Sequence, residues 1–249
     1  MANINNTSSY MDEDKKQIIK ESRNMVIFTG AGISVPSGIP DFRSANGLYN
    51  QKSATNIPPE VIVSHSFFVN HTADFYDFYK EKMCYPKAKP NEAHKYFADL
   101  EKQNKSVVVV TQNIDNLHQE AGSKHVYELH GSVHRNYCEK CNAFYDLNYV
   151  LASENIPICP KCGGVIKPDV VLYEEPLDSN VINGAICAIT TADTMIIVGT
   201  SLMVYPANSF VRYFRGSHLV LINKDITPYD SYAELVFNED IINVINKIK

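Results

Sequence analysis

The chain has no excess of positive charge: 23 Lys and Arg stand against 28 Asp and Glu, a formal net charge of −5. That balance argues against steering toward a phosphate backbone, so no direct nucleic-acid partner is expected. No stretch approaches the roughly 18 consecutive apolar residues of a membrane span, and no membrane partner is expected either. The first twenty residues lack a basic start followed by an apolar core, which argues against a secretory leader and for a cytoplasmic protein. Internal repeats and low-complexity tracts are absent too. One further absence is more specific. The apolar run Met25 to Phe28 stops at Thr29 and opens into Gly30-Ala31-Gly32, as a strand entering a phosphate-binding turn should. A redox dinucleotide fingerprint then needs a third glycine at position 35, where Val35 stands. A hydride-transfer enzyme is thereby disfavoured.

The 249 residues suffice for one good core, or for a main domain with a small satellite. Ser9 with Asp12 is a capping pair for a polar helix reaching about Arg23. Residues 45–90, rich in Tyr and Phe with scattered prolines, read as an insertion. Asn91 caps a helix whose Ala93, Tyr96, Phe97 and Leu100 fall at i, i+3, i+4 and i+7. SVVVVTQN lacks polar alternation and reads as a strand covered on both faces. Asp178 or Ser179 starts a helix with Ile182, Ala185, Ile186 and Ile189 on one stripe. The strands TMIIVGTS, HLVLINKD and AELVF follow, before a last amphipathic helix with Ile241, Val244, Ile245 and Ile248. Strands interleaved with helices predict an α/β fold with a mainly parallel sheet.

Four of the six cysteines form two C-x-x-C pairs, Cys138/Cys141 and Cys159/Cys162, seventeen residues apart. This spacing suits a zinc ribbon, and Gly163-Gly164 supplies the tight backbone of a knuckle. Four thiolates leave no position open for water, so one structural Zn ion is expected. His134, four residues before Cys138, is a weaker alternative ligand. Cys84 and Cys187 lack partners and read as core residues.

In open α/β sheets, ligands sit beyond the carboxyl ends of the strands. Gly30, Ala31 and Gly32 let backbone approach a pyrophosphate. Gly199, Thr200 and Ser201 offer further donors, and Asn223 can bond a ribose hydroxyl. In TQNIDNLH, Gln112, Asn113 and Asp115 place three hydrogen-bonding side chains at a strand end, able to hold a carboxamide and orient a water. His130 beside Gly131 is one of eight histidines, any of which could serve as a general base by composition alone.

Together GAGIS, SGIPDFR, TQNID, LHGS, the paired cysteines, KPDVVLY, GTSL and INKD resemble the sirtuins, the NAD-dependent protein lysine deacylases. The motifs run in order from about residue 10 to 246. The resemblance implies a Rossmann-like parallel sheet with helices on both faces, plus a small zinc-ribbon/helical domain. Residues 9–45, 91–134 and 166–249 would form the NAD-binding domain; 46–90 and 135–165 would form the small one. It also implies that NAD contacts Gly30, Ala31, Gly32, Ile39, Asp41, Phe42, Arg43, Gln112, Asn113, Ile114, Asp115, Gly199, Thr200, Ser201, Asn223 and Lys224. Asp115 and Ile114 would hold the nicotinamide amide over Ile39. The acyl oxygen of the substrate would capture the ribose carbon as nicotinamide leaves. His130 would then act as general base on a ribose hydroxyl, with Asn113 steadying a water. The acyl-lysine peptide would lie extended along Val170, Val171 and Leu172, and the products would be lysine, nicotinamide and O-acetyl-ADP-ribose. A monomer is expected.

Two departures stand out. Sirtuins usually carry Gly at the position of Asn116, and Gly-Glu where this chain has Glu174-Glu175. Desuccinylating members carry Tyr-x-x-Arg; here Tyr76-x-x-Tyr79 offers no cation, so neutral acyl groups are expected. The alternative on the same fold is a mono-ADP-ribosyltransferase or NAD glycohydrolase. A nucleic-acid-binding ribbon is disfavoured, because Arg135, Lys140 and Lys161 are offset by Glu139, Asp146 and Glu154.

Overall fold

A computed structural model describes residues 17–42, 44, 47–50, 57–203, 205 and 207–249, with Asn50 and Ala207 as backbone alone. The Ser9/Asp12 pair and Arg43 lie outside the described residues.

Residues 17–21 are helical (α1) and lead into β1 (Asn24–Thr29). A 3-10 segment, Ala31–Ser37, follows, and then the short helices α2 (Pro59–Ile62), α3 (His65–Asn70) and α4 (Thr72–Lys82). Next come α5 (Glu92–Glu101), β2 (Ser106–Thr111), α6 (Leu117–Ala121), β3 (Val126–Glu128) and β4 (Gly131–Cys138). The ribbon region holds β5 (Phe144–Tyr145), α7 (Leu147–Ala152) and β6 (Ile166–Val170). The chain closes with α8 (Ser179–Thr191), β7 (Thr194–Val198), β8 (His218–Ile222), β9 (Leu235–Phe237) and α9 (Ile241–Ile248).

Among the described residues, six strands form one parallel sheet in the order β3-β2-β1-β7-β8-β9. β1 lies between β2 and β7, with Phe28 opposite Val110 on one side and Ile197 on the other. The side-chain period of two sends alternate residues to opposite faces. Met25 and Ile27 meet Ile19 of α1, Phe97 of α5 and Val244 of α9, while Val26 and Phe28 join the cluster of Ala185 and Ile189 on α8. Both faces are covered, which explains the unbroken apolar runs. The α5 cap is a full capping box. The Asn91 side chain accepts from Ala93 N at 2.9 Å, and His94 Nδ1 accepts from Asn91 N at 3.4 Å. Asn91 Nδ2 also donates to Ile33 O at 2.8 Å, fastening α5 to the 31–37 segment.

A separate antiparallel sheet, β5-β4-β6, carries a second apolar cluster with α2, α3, α4 and α7. Tyr76 and Tyr79 of α4 are fully buried there beside Phe68 and Phe75. β3 is short and β4 irregular, and neither carries clear alternation in the sequence; β6 alternates, with Ile166, Pro168 and Val170 buried, and lies in the KPDVVLY segment expected to run beside the peptide. Cys84 is buried as expected. Cys187 is not: it is exposed on α8, because the apolar stripe of that helix turns Ala185 and Ile189 inward instead.

Candidate active site

The strand order reverses direction between β1 and β7, the switch point where ligands collect in such sheets. Backbone bonds extend the sheet past its carboxyl ends. Gly30 N donates to Val198 O at 3.0 Å, Gln112 N to Thr29 O at 3.0 Å, Gly199 N to Ile222 O at 3.0 Å and Asn223 N to Phe237 O at 3.0 Å. The loops leaving these ends border one cavity of about 860 Å³.

That cavity collects the expected residues: Gly30, Ala31, Gly32, Ile39, Asp41, Phe42, Gln112, Asn113, Ile114, Asp115, His130, Val170, Val171, Leu172, Gly199, Thr200, Ser201, Asn223 and Lys224. Segments as far apart in sequence as 30–32 and 222–225 thus face a common space.

The glycines also have a reason within the fold itself. A Cβ on Gly30 would lie 2.7 Å from the Thr200 Cβ, and one on Gly32 would lie 2.7 Å from the Gly199 Cα. Gly199 itself has φ +59, a left-handed backbone that favours glycine. The three glycines let two loops touch backbone to backbone. Their N–H groups are already committed within the protein, Gly32 N to Gly199 O at 2.8 Å among them. The close approach shapes the cavity floor.

His130 sits between β3 and β4. Its Nδ1 faces the carbonyl of Gln112 at 2.9 Å; a carbonyl only accepts, so Nδ1 carries the proton and Nε2 keeps its lone pair. Burial holds the imidazole below its ordinary pKa, partly opposed by that hydrogen bond. The result is a neutral base with a fixed tautomer in the cavity wall. Val171 N donates to His130 O at 3.0 Å, linking the histidine to the segment after β6.

Asp115 is held by Ser34 Oγ at 2.6 Å and by Leu117 N at 2.9 Å, while Asn113 Nδ2 donates to Ser34 Oγ at 3.0 Å. Burial pushes the Asp115 carboxyl above its usual range, against the pull of these bonds. Ser34 escaped the sequence reading, although it lies inside GAGIS; a small polar residue after a glycine turn gives little signal. Asn116 takes φ 64 at the start of α6, a conformation that Asn tolerates well. Gln112 Nε2 donates to Thr200 Oγ1 at 3.1 Å, joining the ends of β2 and β7.

The four cysteines meet in the ribbon. Their Sγ atoms all lie within 4.8 Å of one another, with Cys138–Cys162 at 3.4 Å and Cys141–Cys159 at 3.6 Å. A tetrahedral zinc with bonds of about 2.3 Å needs sulfurs about 3.8 Å apart, so the quartet fits the ion. A Cβ on Gly164 would come within 2.8 Å of Cys138 Sγ, which is why the knuckle needs glycine there. His134 instead lines the large cavity and is outside the cysteine cluster.

Residues 30–206 match the family model described as Sir2 family. The chain belongs to the Sir2 family. A relative from Clostridium perfringens, described as an NAD-dependent protein deacetylase, is 59% identical over 94% of this chain and 96% of its own length. A protein of the same description from Cutibacterium acnes is 48% identical over 93% of this chain and 94% of its own length. A solved Sir2 structure with a p53 peptide and NAD+ superposes with a TM-score of 0.81, at 39% identity over 95% of this chain and 96% of that one. Another, bound to a propionylated peptide, gives a TM-score of 0.80 at 38% identity, with the same coverage. Within this Sir2 chain, no described helix is long and apolar enough to cross a membrane.

Proposed function

We propose that this chain is an NAD-dependent protein lysine deacetylase that converts NAD, water and an acetyl-lysine peptide to nicotinamide, O-acetyl-ADP-ribose and the peptide with its lysine deacetylated. The observation that carries the reading is His130. Its Nδ1–H is committed to Gln112 and its Nε2 is basic, in the cavity that also holds the glycine corner and the Asn113/Asp115 pair.

NAD supplies a glycosidic bond whose breakage leaves a ribose carbon open to the acyl oxygen. The protein's part is positioning and proton transfer. Asp115, braced by Ser34 and the Leu117 N–H, holds the nicotinamide amide, with Ile114 and Ile39 beside it. His130 Nε2 takes a proton from a ribose hydroxyl. Asn113, itself oriented by Ser34, steadies the water that completes the reaction. Val170, Val171 and Leu172 border the acyl-lysine, whose peptide adds as a strand along this segment. The Gly30–Gly32 and Gly199–Ser201 loops take the phosphates and ribose, with Asn223 and Lys224 on the adenosine side. One zinc ion on Cys138, Cys141, Cys159 and Cys162, none of which lines the cavity, staples the ribbon.

A division into a cofactor domain (9–45, 91–134, 166–249) and a small domain (46–90, 135–165) is supported by the two separate sheets, except that β6 and the start of β4 join the small sheet and its apolar cluster. Val133, Val170 and Leu172 belong to the small cluster, so the seam runs through the cavity wall. A cytoplasmic setting suits four cysteines kept as metal ligands.

Mass spectrometry of an acetylated peptide with and without NAD tests the function. Loss of the acetyl group only with NAD, coupled to O-acetyl-ADP-ribose, is expected. Nicotinamide release with the acetyl group intact would instead make the chain a glycohydrolase.

A further inference from the structure

Glu174 stands where the family usually carries glycine, and its backbone shows why: φ is +76, within the left-handed region. A glutamate held there needs compensation, and its side chain supplies it. Oε2 accepts from Ser66 N at 2.8 Å and Oε1 from Ser66 Oγ at 2.9 Å, so both oxygens are committed to the first turn of α3. The neighbouring residues tie the same two segments together. Tyr173 N donates to Val63 O at 3.0 Å, and His65 N donates to Tyr173 O at 3.0 Å. Glu175 binds His65 Nδ1 at 2.9 Å, Lys167 Nζ at 3.1 Å and Leu172 N at 2.9 Å. Residues 170–175 all line the cavity, so this seam fixes one wall of it against α2 and α3.

We propose that Glu174 is a positioning residue for acyl-peptide binding: by clasping Ser66 it locks the 170–173 segment in the extended form that receives the substrate strand. The proposal rests on the reading that this segment carries the peptide. It also separates two roles for the acidic side chain. A carboxylate free in the cleft would attract basic peptides directly; one with both oxygens on Ser66 acts through the backbone it holds.

The discriminating variant is Glu174→Gly, which accepts φ +76 without strain and removes the clasp. The expected result is a rise in KM for an acetylated peptide of roughly tenfold, with KM for NAD unchanged and thermal stability not lowered. Glu174→Gln, which keeps one acceptor oxygen, and Ser66→Ala, which keeps the backbone donor, should give intermediate values on acidic, neutral and basic peptides alike. Unchanged peptide KM in Glu174→Gly would overturn the proposal. A loss in Glu174→Gln confined to peptides rich in Lys or Arg would overturn it as well, in favour of direct charge reading. Hydrogen exchange of residues 166–173 in the wild-type enzyme, with and without peptide, distinguishes the underlying reading. Protection is expected, and its absence would remove the peptide from this segment and the proposal with it.

Discussion

The N–H of Gly32 meets the carbonyl of Gly199 at 2.8 Å, and no atom larger than hydrogen fits on Gly32 without entering the Gly199 backbone. The obstacle is main chain at a strand end, which cannot swing aside as a flexible side chain does. Gly32→Ala should therefore cost about 2–4 kcal/mol of stability, at or above the usual overpacking range. It should also weaken NAD binding, because the two loops it parts border the cavity. Ala31 lies between the two glycines, and Ala31→Ser should be tolerated within about 1 kcal/mol. Thermal unfolding and NAD titration of the two variants check this; similar melting temperatures would refute the contact argument.

His130→Ala should lower deacetylation by about 10²–10⁴-fold, the usual worth of a general base, and leave NAD binding within a few-fold of wild type. His130→Asn, which lacks a basic nitrogen, should not recover the loss. Because burial depresses the His130 pKa, the base stays unprotonated below the ordinary value near 6.5. The acid limb of kcat/KM should accordingly fall below pH 6.5. A limb above that value would contradict the assigned environment.

The large elements were legible because their periodicities are strong. Met25 to Phe28 and SVVVVT are apolar on both faces, and the i, i+3, i+4 stripe from Ala93 to Leu100 is buried in full. The cysteine quartet was legible from spacing alone. What stayed hidden were contacts between distant segments. Nothing near Gly32 announces Gly199, and nothing near Glu174 announces Ser66. His130 became distinct from seven other histidines only through the resemblance, and its tautomer only through the Gln112 carbonyl. β4 was missed because its pairing with β6 shifts register between Ser132 and Asn136, which breaks the alternation a strand reading needs.

Acyl selectivity follows from α4. The Tyr76 hydroxyl donates to Ile166 O, and Tyr79 has no exposed surface, so neither meets a substrate group. Lys82, which does line the cavity, is paired with Glu81 at 2.9 Å. The other described lysine of the cavity, Lys224, lies on the side proposed for adenosine, so among the described residues a succinyl carboxylate beside Val170 and Val171 meets no unpaired cation and loses solvation. Acetyl-lysine peptides should turn over at least roughly tenfold faster than succinyl-lysine peptides of the same sequence. Parallel kcat/KM measurements decide it, and equal rates would assign the Lys82 charge to the acyl group.

Zinc removal should act on structure. The cysteines hold β4 to the 159–164 turn, and Cys138 and Cys159 are part of the apolar cluster that also contains Val170 and Leu172. A strong chelator should loosen the β5-β4-β6 sheet and abolish deacetylation, while leaving the parallel sheet helical and strand signals largely intact. Circular dichroism with zinc add-back checks this. Full activity in metal-free protein would show that the ribbon folds without its ion.

The last prediction concerns two histidines behind the cavity. His118 Nε2 reaches Thr29 Oγ1 at 3.0 Å, Thr29 Oγ1 donates to Thr111 Oγ1 at 2.8 Å, and Asn113 N donates to Thr111 Oγ1 at 3.0 Å. The ring of His94 lies 4.9 Å from that of His118, centroid to centroid. His94 Nε2 and His118 Nδ1 are both buried and lack a hydrogen-bond partner among the described residues. Desolvation lowers the His94 pKa from 6.5 to about 4 and pushes His118 well below its ordinary value. In the unfolded chain both would take up protons near pH 6.5. Between about pH 6.5 and pH 4 the unfolded state therefore binds more protons, and stability falls as pH falls. For His94 alone the loss by pH 4 is about 3 kcal/mol, nearly complete there and complete only below its folded pKa, and it is close to absent above pH 7. Denaturant unfolding of wild type and His94→Gln across pH 4 to 7.5 measures it. The variant should be less stable at neutral pH and show a shallower decline toward acid. Parallel curves would mean that the pair does not titrate on unfolding, and that Thr29 and Asn113 are held by packing alone.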